Sequence, residues 1–450
     1  MNFNQSEQSE QHSNSQTSAL PQSNIKPIGQ AADAEKNDGA QKGPQSLINL
    51  PKGGGAIQGI GEKFETNPVT GTFSMSAPLS ISPGRNGFTP QLGLSYNSGG
   101  GNSAFGLGWS VGIPNITRKT DKGLPQYDDN NESDTFILSG AEDLVPVDEA
   151  TQSQGDYVIK RYRPRTEGLF AQIEQWRNTT NGEVHWRTIS KENLTSIYGK
   201  DASARIAHPN DSTKVFSWYL QESYDALGNL MRYTYLKENS DNISPDVYEK
   251  HRLANNKAFT NIYPNQVLYG NTNMYDPVDG NYAGNWLFTL AFDYGNYSTY
   301  NSNGSTVTPT ASWNKRQDPF SVYRAGFEMR TYRLCERVLM FHHFTNDLGA
   351  NAQLVKSTKL QYNKDEHMAQ LMQVEHVAHD GAQTASMPPL SFTYSKAQVS
   401  DKLHSVKQDV MDNLQCFGNI RLAMGRFAWR RHQFFAKNQK RGLVLQTKPG

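Results

Sequence analysis

The chain has 450 residues, with 44 Lys+Arg against 43 Asp+Glu, two cysteines, 11% aromatic and only 19% charged residues. Cys335 and Cys416 cannot build a disulfide framework or a thiolate zinc site, and no run approaches the roughly 18 apolar residues of a membrane helix. Few charges with many Tyr, Phe and Trp among frequent Gly and Asn point to strands and tight turns.

Residues 1–50 are rich in Gln, Ser, Asn and Ala with one aromatic, Phe3, and are expected to be a disordered leader. Met1–Glu7 has neither the basic nor the apolar region of a Sec signal and is not expected to act as one. The composition changes at Leu50-Pro51. From Gly53 to Gly112 there are 15 glycines in 60 residues, interleaved with the alternating runs Thr72–Ser76 and Gln91–Tyr96. Pro-Gly and Asn-Gly turn signals bound these runs, which read as strands.

Further strands are expected at 157–162, 170–176, 184–189, 195–198, 215–224, 230–235, 286–294, 332–344, 357–362, 371–379 and 390–394. Clusters of Asn, Asp, Gly or Pro separate them. Ser244–Asn256 is the one helix candidate and lacks a clean apolar face; 271–285 and 297–312 read as loop. The fold class is all-β.

Most motif-like features have plainer readings. Gly99–Ala104 fits a dinucleotide fingerprint, but Phe105–Pro114 cannot supply the helix whose N-terminus would face a pyrophosphate, so a turn is expected. Gly53–Lys63 lacks the Gly-Lys-Ser/Thr ending of a phosphate loop. His376 and His379 point to opposite faces of a strand, as do His342 and His343, so neither pair is expected to chelate a metal. Asp128–Asp134 lacks the glycine of a calcium loop and reads as a solvated turn. Neither a Gly-x-Ser-x-Gly elbow nor a Glu-x-Glu pair is present. No catalytic residue, metal or cofactor is expected.

The charge is uneven. Residues 415–450 hold eight cations (Arg421, Arg426, Arg430, Arg431, Lys437, Lys440, Arg441, Lys448) and no acid, leaving 36 basic against 43 acidic residues, a net −7, in residues 1–414. Such a tail could be a nucleic-acid or membrane arm, but it lacks helical periodicity.

Glu222–Tyr235 reads as a hairpin whose Tyr224-Asp225-x-x-Gly228-Asn229 core resembles the tyrosine–aspartate repeat of Rhs proteins. The Gly53–Arg118 block, with Gly59, Gly61, Phe64, Pro78, Gly93, Tyr96, Gly106, Gly108, Trp109 and Pro114, closely resembles the N-terminal domain shared by SpvB-type virulence plasmid proteins and the B components of insecticidal Tc toxin complexes (the TcaC/TcdB type). The likeness runs over residues 51–414. It implies a large antiparallel sheet forming part of an Rhs/Tc-type hollow shell, or cocoon, around a toxic effector. The implied partners are a toxin-bearing Tc C component and a pore-forming Tc A component, the latter through a β-propeller missing here. Neither nucleic acid nor direct membrane insertion is implied. Export from the bacterial cytoplasm is, without a Sec signal.

Beyond Leu414 the likeness ends, and a reading-frame change near residues 415–420 is expected. Bases GGC CTG GTT CTA CAA ACC, which can encode Gly442–Thr447, read Ala-Trp-Phe-Tyr-Lys-Pro one frame over. The 415–450 tail would then be aberrant, and the shell truncated. Two alternatives remain: an SpvB-like delivery module without its ADP-ribosyltransferase, whose Glu-x-Glu motif is absent, and a carbohydrate-binding or carbohydrate-active β protein using exposed Trp and Tyr.

Overall fold

The first strands of the chain pair in sequence order: β1 (Lys63–Asn67), β2 (Thr72–Pro78), β3 (Gly93–Asn97) and β4 (Trp109–Val111) form an antiparallel sheet. The computed structural model describes residues 71–395, apart from 140–141, 148–150, 169, 256–258, 304–305, 349–351 and 365–367. It also describes the strand backbones Lys63–Asn67, His404–Ser405, Gln433–Gln439 and Gly442–Lys448. The 1–50 leader, Gly59 and Gly61 lie outside these residues, as do the tail's basic side chains. Of the tail, Gln433–Gln439 pairs with Gly442–Lys448, which pairs with His404–Ser405.

Seven strands of three to eight residues and one long strand follow: β5 (Asn115–Arg118), β6 (Phe136–Leu138), β7 (Glu142–Pro146), β8 (Tyr157–Pro164), β9 (Gln172–Asn178), β10 (Val184–Ile189), β11 (Thr195–Tyr198) and the long β12 (Asp211–Tyr224). Each pairs antiparallel with the next, and β12 returns to β5 through Trp218 opposite Ile116. The ring therefore closes into an eight-stranded barrel, which the sequence reading did not anticipate. A ring of eight leaves an interior just wide enough for side chains. Here Phe136, Tyr162, Trp186 and Trp218 fill it, with Trp186 4.9 Å from Phe136, 5.0 Å from Tyr162 and 6.0 Å from Trp218.

Strand β12 also starts the main sheet. Its last three residues pair with β13 (Leu230–Lys237), and the order continues through β14 (Ile262–Asn271), β15 (Trp286–Asp293), β16 (Arg337–His342), β17 (Gln353–Lys364) and β18 (Ala369–Asp380). Gln383–Ser386 and Leu390–Ser391 cover the outer edge of β18. One face of this sheet, with Tyr269, Phe288, Met340, Leu360 and Val374, lies beneath the β1–β4 layer.

The other face buries Ala291, Leu339 and Phe341 under a hairpin, Tyr300–Asn303 with Thr306–Pro309. That hairpin corrects the loop expected at 297–312. Its Val307 is buried, and the Tyr300 ring meets Phe341 edge-on at 4.6 Å. The helix candidate also contracts, to Lys250–Asn255. The strand expected at 332–344 is Arg337–His342 alone, because the preceding residues turn inward to place buried charges.

On the outside of the barrel His185 packs against Tyr157 and Trp176, at 5.3 and 5.8 Å. Burial, with Arg205, Lys200 and Arg187 nearby, pushes its pKa down to about 4. The folded ring stays neutral where the unfolded chain takes up a proton near pH 6.5. The stability this contributes is thus complete above pH 6.5 and lost as pH falls toward 4, up to about 3 kcal/mol. His185→Gln should reduce the loss of denaturant stability between pH 7 and 4; an unchanged pH profile would contradict this origin.

Candidate functional site

The residues singled out from the sequence gather at two places, and both are joints between layers. The first is where the glycine-rich block meets the last strands of the main sheet. Trp109 Nε1–H donates to the Tyr394 hydroxyl at 2.8 Å, which in turn donates to the Leu371 carbonyl at 2.7 Å. The indole packs on Phe392 at 4.8 Å and on Tyr96 at 5.3 Å. Gly108 lies beneath that Tyr96 ring at φ +78°, where a Cβ would sit 2.6 Å from a ring carbon. Only glycine meets both demands. Gly106 approaches Ala369 and Tyr362 in the same way.

The remaining described members of this block pair within its own layer or tie it to the main sheet and to the barrel strand β12. The Pro78 carbonyl accepts from His376 Nε2 at 3.1 Å, Gly93 pairs opposite Pro78, and the Pro114 carbonyl accepts from Leu220 N at 3.0 Å. Phe64 pairs opposite Met75 on β1, its side chain outside the described residues. Gly99 and Gly100 form a turn on Asn97 rather than the start of a helix.

The second joint is the turn from β12 to β13. Asp225 Oδ1 accepts from Leu227 N at 2.9 Å and Asn229 N at 3.0 Å, while its Oδ2 accepts from Asn229 Nδ2 at 2.8 Å. This is an aspartate side chain imitating a backbone turn. Gly228 has φ +74°, and its carbonyl accepts from Tyr275 N at 3.0 Å and Asn271 Nδ2 at 2.8 Å. Tyr224 packs on Tyr275 at 5.1 Å. The motif therefore locks the hairpin to the 272–285 loop.

Sequence reasoning missed the buried charges. Arg118 sits among the rings of Tyr127, Phe136 and Trp218 at 4.9, 5.0 and 5.6 Å, and pairs with Asp129 at 2.5 Å and Asp134 at 2.9 Å. The acidic turn read as solvated thus folds back onto a barrel cation, because a buried guanidinium needs counter-charge and acceptors. Glu238 and Arg333, both with fully buried side chains, pair at 2.8 Å, and Arg333 lies 4.5 Å over Trp313. Burial pushes the Glu238 carboxyl up, opposed by Arg333. Glu249 takes Arg330 at 2.7 Å, Arg252 at 3.0 Å and the Tyr332 hydroxyl at 2.5 Å. Burial raises its pKa, but these partners together hold it below the usual range. Scattered Arg, Glu and Asp in a strand-rich sequence carry no spacing signal that could have found these sets.

The histidines divide as their positions require. His342 contacts Ser82 Oγ and His343 contacts Thr289 Oγ1, both at 2.8 Å; His376 reaches Pro78 and His379 reaches Ser357 Oγ. Among the described residues no three His, Cys, Asp or Glu side chains are grouped to hold a metal, and no helix is long and apolar enough to cross a membrane. Burial pushes the Cys335 thiol up. Of the six tryptophans described, five are buried and Trp176 is half-buried against Tyr157 and His185, whereas Tyr248 and Tyr323 are exposed. The geometry supplies joints held by hydrogen bonds and aromatic packing.

Gly228→Ala should destabilise the chain by about 1–3 kcal/mol, from positive φ and the Met274–Tyr275 contact. Asp225→Ala should cost about 1–3 kcal/mol for its lost turn bonds. Gly168→Ala, in open space, should change stability by under about 0.5 kcal/mol. Equal effects at all three positions in denaturant unfolding would contradict this reading of the turn.

Comparison with known proteins gives a consistent set of relatives. Residues 67–344 match the family described as SpvB, Salmonella virulence plasmid 65kDa B protein. The mono(ADP-ribosyl)transferase SpvB of Salmonella typhimurium is 37% identical over 354 residues, covering 74% of this chain and 57% of that protein. The chain thus spans little more than half the length of the curated relatives it matches. Among solved structures, the N-terminal domain of effector protein SpvB from Salmonella typhimurium superposes with TM-score 0.61 at 36% identity, covering 68% of this chain and 98% of that one. A TcdB2–TccC3 crystal structure gives TM-score 0.69 at 31% identity over 89% of this chain and 21% of that one. The Photorhabdus luminescens Tc holotoxin pore gives 0.67 at 34% identity over 77% and 16%.

Proposed function

The chain belongs to the SpvB (Salmonella virulence plasmid 65kDa B protein) family, and from that premise we propose that residues 51–414 are a non-catalytic wall segment of a Tc-type hollow shell enclosing a toxic effector. The observation that carries the reading is the likeness to TcdB2–TccC3 over 89% of this chain, within a protein about five times the length matched. The chemistry of the two joints supports it. Glycine-enabled backbone approach, an aspartate-locked turn and an indole relay hold layers in register, and none presents a reactive group to solvent. Closure of the barrel, and the pairing of Gln383–Ser386 and Leu390–Ser391 along the outer edge of β18, also protect strand edges, the hazard of a β-rich wall. The signature residues from Pro78 to Asn229 serve as its joints. The partners on this reading are a toxin-bearing Tc C component and a pore-forming Tc A component, with the site of action outside the producing bacterium.

A second reading is favoured by one observation: the match to the SpvB N-terminal domain covers 98% of that chain. On that reading the same fold is the delivery module of a separate effector. Neither reading places ADP-ribose transfer on this chain, whose sequence has no Glu-x-Glu pair.

A chimera separates them. Residues 51–414 replace the matching segment of TcdB2–TccC3, and the enclosed segment is probed by protease. A shell that forms and protects its content is expected, and a chimera unable to enclose it would overturn the wall reading. ADP-ribose transfer from NAD by the purified chain would contradict both readings.

A further inference from the structure

Between β2 and β3 the chain crosses the main sheet as a strap, Pro78–Ser82, and alternate residues of the strap rest on successive strands. The Pro78 carbonyl accepts from His376 on β18 at 3.1 Å. Ser80 N donates to Thr358 Oγ1 on β17 at 3.0 Å. Ser82 Oγ meets His342 Nε2 on β16 at 2.8 Å, and the Ser82 carbonyl accepts from the Tyr269 hydroxyl on β14 at 2.6 Å. All four attachments run from side chains of the main sheet, and two of those side chains are imidazoles. No β-ladder joins the strap to the main sheet beneath it. The strap is thus held by side-chain bonds and by the burial of Leu79.

We propose that this strap is an acid-labile latch: protonation of His342 and His376 releases Pro78–Ser82 from the main sheet and loosens the glycine-rich layer above it. The charges on this face point one way. Lys356 on β17 acts on both rings, and His343 acts on His342. Among the described residues no carboxylate acts on either ring. From the other packed elements, Phe288 and Phe344 meet the His342 ring edge-on at 5.1 and 5.5 Å, and neither carries a negative charge. Arg85, just beyond the strap, is tied to the Asn271 carbonyl. Two imidazolium ions beside an ammonium would therefore stand on one half-buried face without a carboxylate counter-charge.

Burial first, and Lys356 after it, keep the His342 ring neutral. For His376 burial again leads and Lys356 adds to it, while the bond to Pro78, which survives protonation, works against both. Each ring is depressed below the usual histidine value. The stability the two contribute is present above about pH 6.5 and lost as pH falls through the lowered values. The latch rests on the strap's own geometry, whatever the chain encloses.

The test is hydrogen exchange on the whole chain between pH 7 and 4.5, corrected for intrinsic rates. Amides of 74–82 should lose protection about tenfold more than those of Leu290–Phe292 in the sheet beneath. The double variant His342→Gln/His376→Gln, which keeps hydrogen-bonding side chains that do not titrate, should remove the difference. Lys356→Met offers a milder check, because losing the ammonium raises both rings toward their unfolded value and should shrink the acid loss. Strap and sheet losing protection together in the natural chain would overturn the latch. So would an unchanged acid loss in Lys356→Met, even if the double variant fails to fold.

Discussion

The architecture depends on one strand being long enough to belong to two structures. β12 runs fourteen residues, Asp211–Tyr224, and pairs along both edges. On one edge β11 takes its C-terminal part and Arg205–His208 its N-terminal part. On the other edge its middle, Ser217–Tyr219, pairs with β5 to close the barrel, while Glu222–Tyr224 pairs with β13 to begin the main sheet. A strand rises about 3.3 Å per residue, so fourteen residues span roughly 45 Å, enough for two partners end to end. A register shift at Ile197/Tyr198 bends the ladder where the sheet leaves the barrel, and a second at Ile206/Ala207 lies beside the closure with β5.

Closing the barrel this way creates an interior that must be filled, and the filling is partly charged. Burying a guanidinium in an aromatic plug is costly unless its charge and most of its donors are met. Arg118 meets that demand with the Val215 carbonyl on β12 and with Asp129 and Asp134 from the β5–β6 connection. The pairing ties a long loop to the barrel and to the branching strand at once. Glu238–Arg333 does similar work beneath the main sheet, joining the end of β13 to the segment before β16. Neither pair needs to add net stability to matter, because removing one partner leaves the other stranded.

The all-β class and most strands were legible, because period-2 alternation and Gly/Asn punctuation are local signals. Tyr157–Tyr162, Val184–Ile189 and Thr195–Tyr198 lie where alternation places them. Closure of the barrel was not legible: Phe136–Leu138 and Asn115–Arg118 are three and four residues long, too short to show a period. Ile262–Asn271 was hidden by Pro264, a residue that argues against a central strand. Its place opposite Tyr235, beside the register shift at Thr234/Tyr235, resolves the conflict, since a bulge leaves room for a missing donor. The hairpin at Tyr300–Pro309 was hidden because its partner is another layer rather than its own sequence. At the joints, Gly108, Trp109 and Asp225 stood out as types, but the Tyr394 end of the indole relay depends on tertiary contact.

Barrel and main sheet share one continuous strand, β12, and on that ground the two are expected to open as one cooperative body. Ser217→Pro tests it most directly, since Ser217 pairs with Thr117 on one side and Ile206 on the other. Proline there removes a ladder donor without touching β13–β18. Hydrogen exchange on this variant should show amides of β10 and of β15–β16 losing protection together. Barrel strands that open while Trp286–Asp293 and Arg337–His342 keep their natural protection would contradict the account.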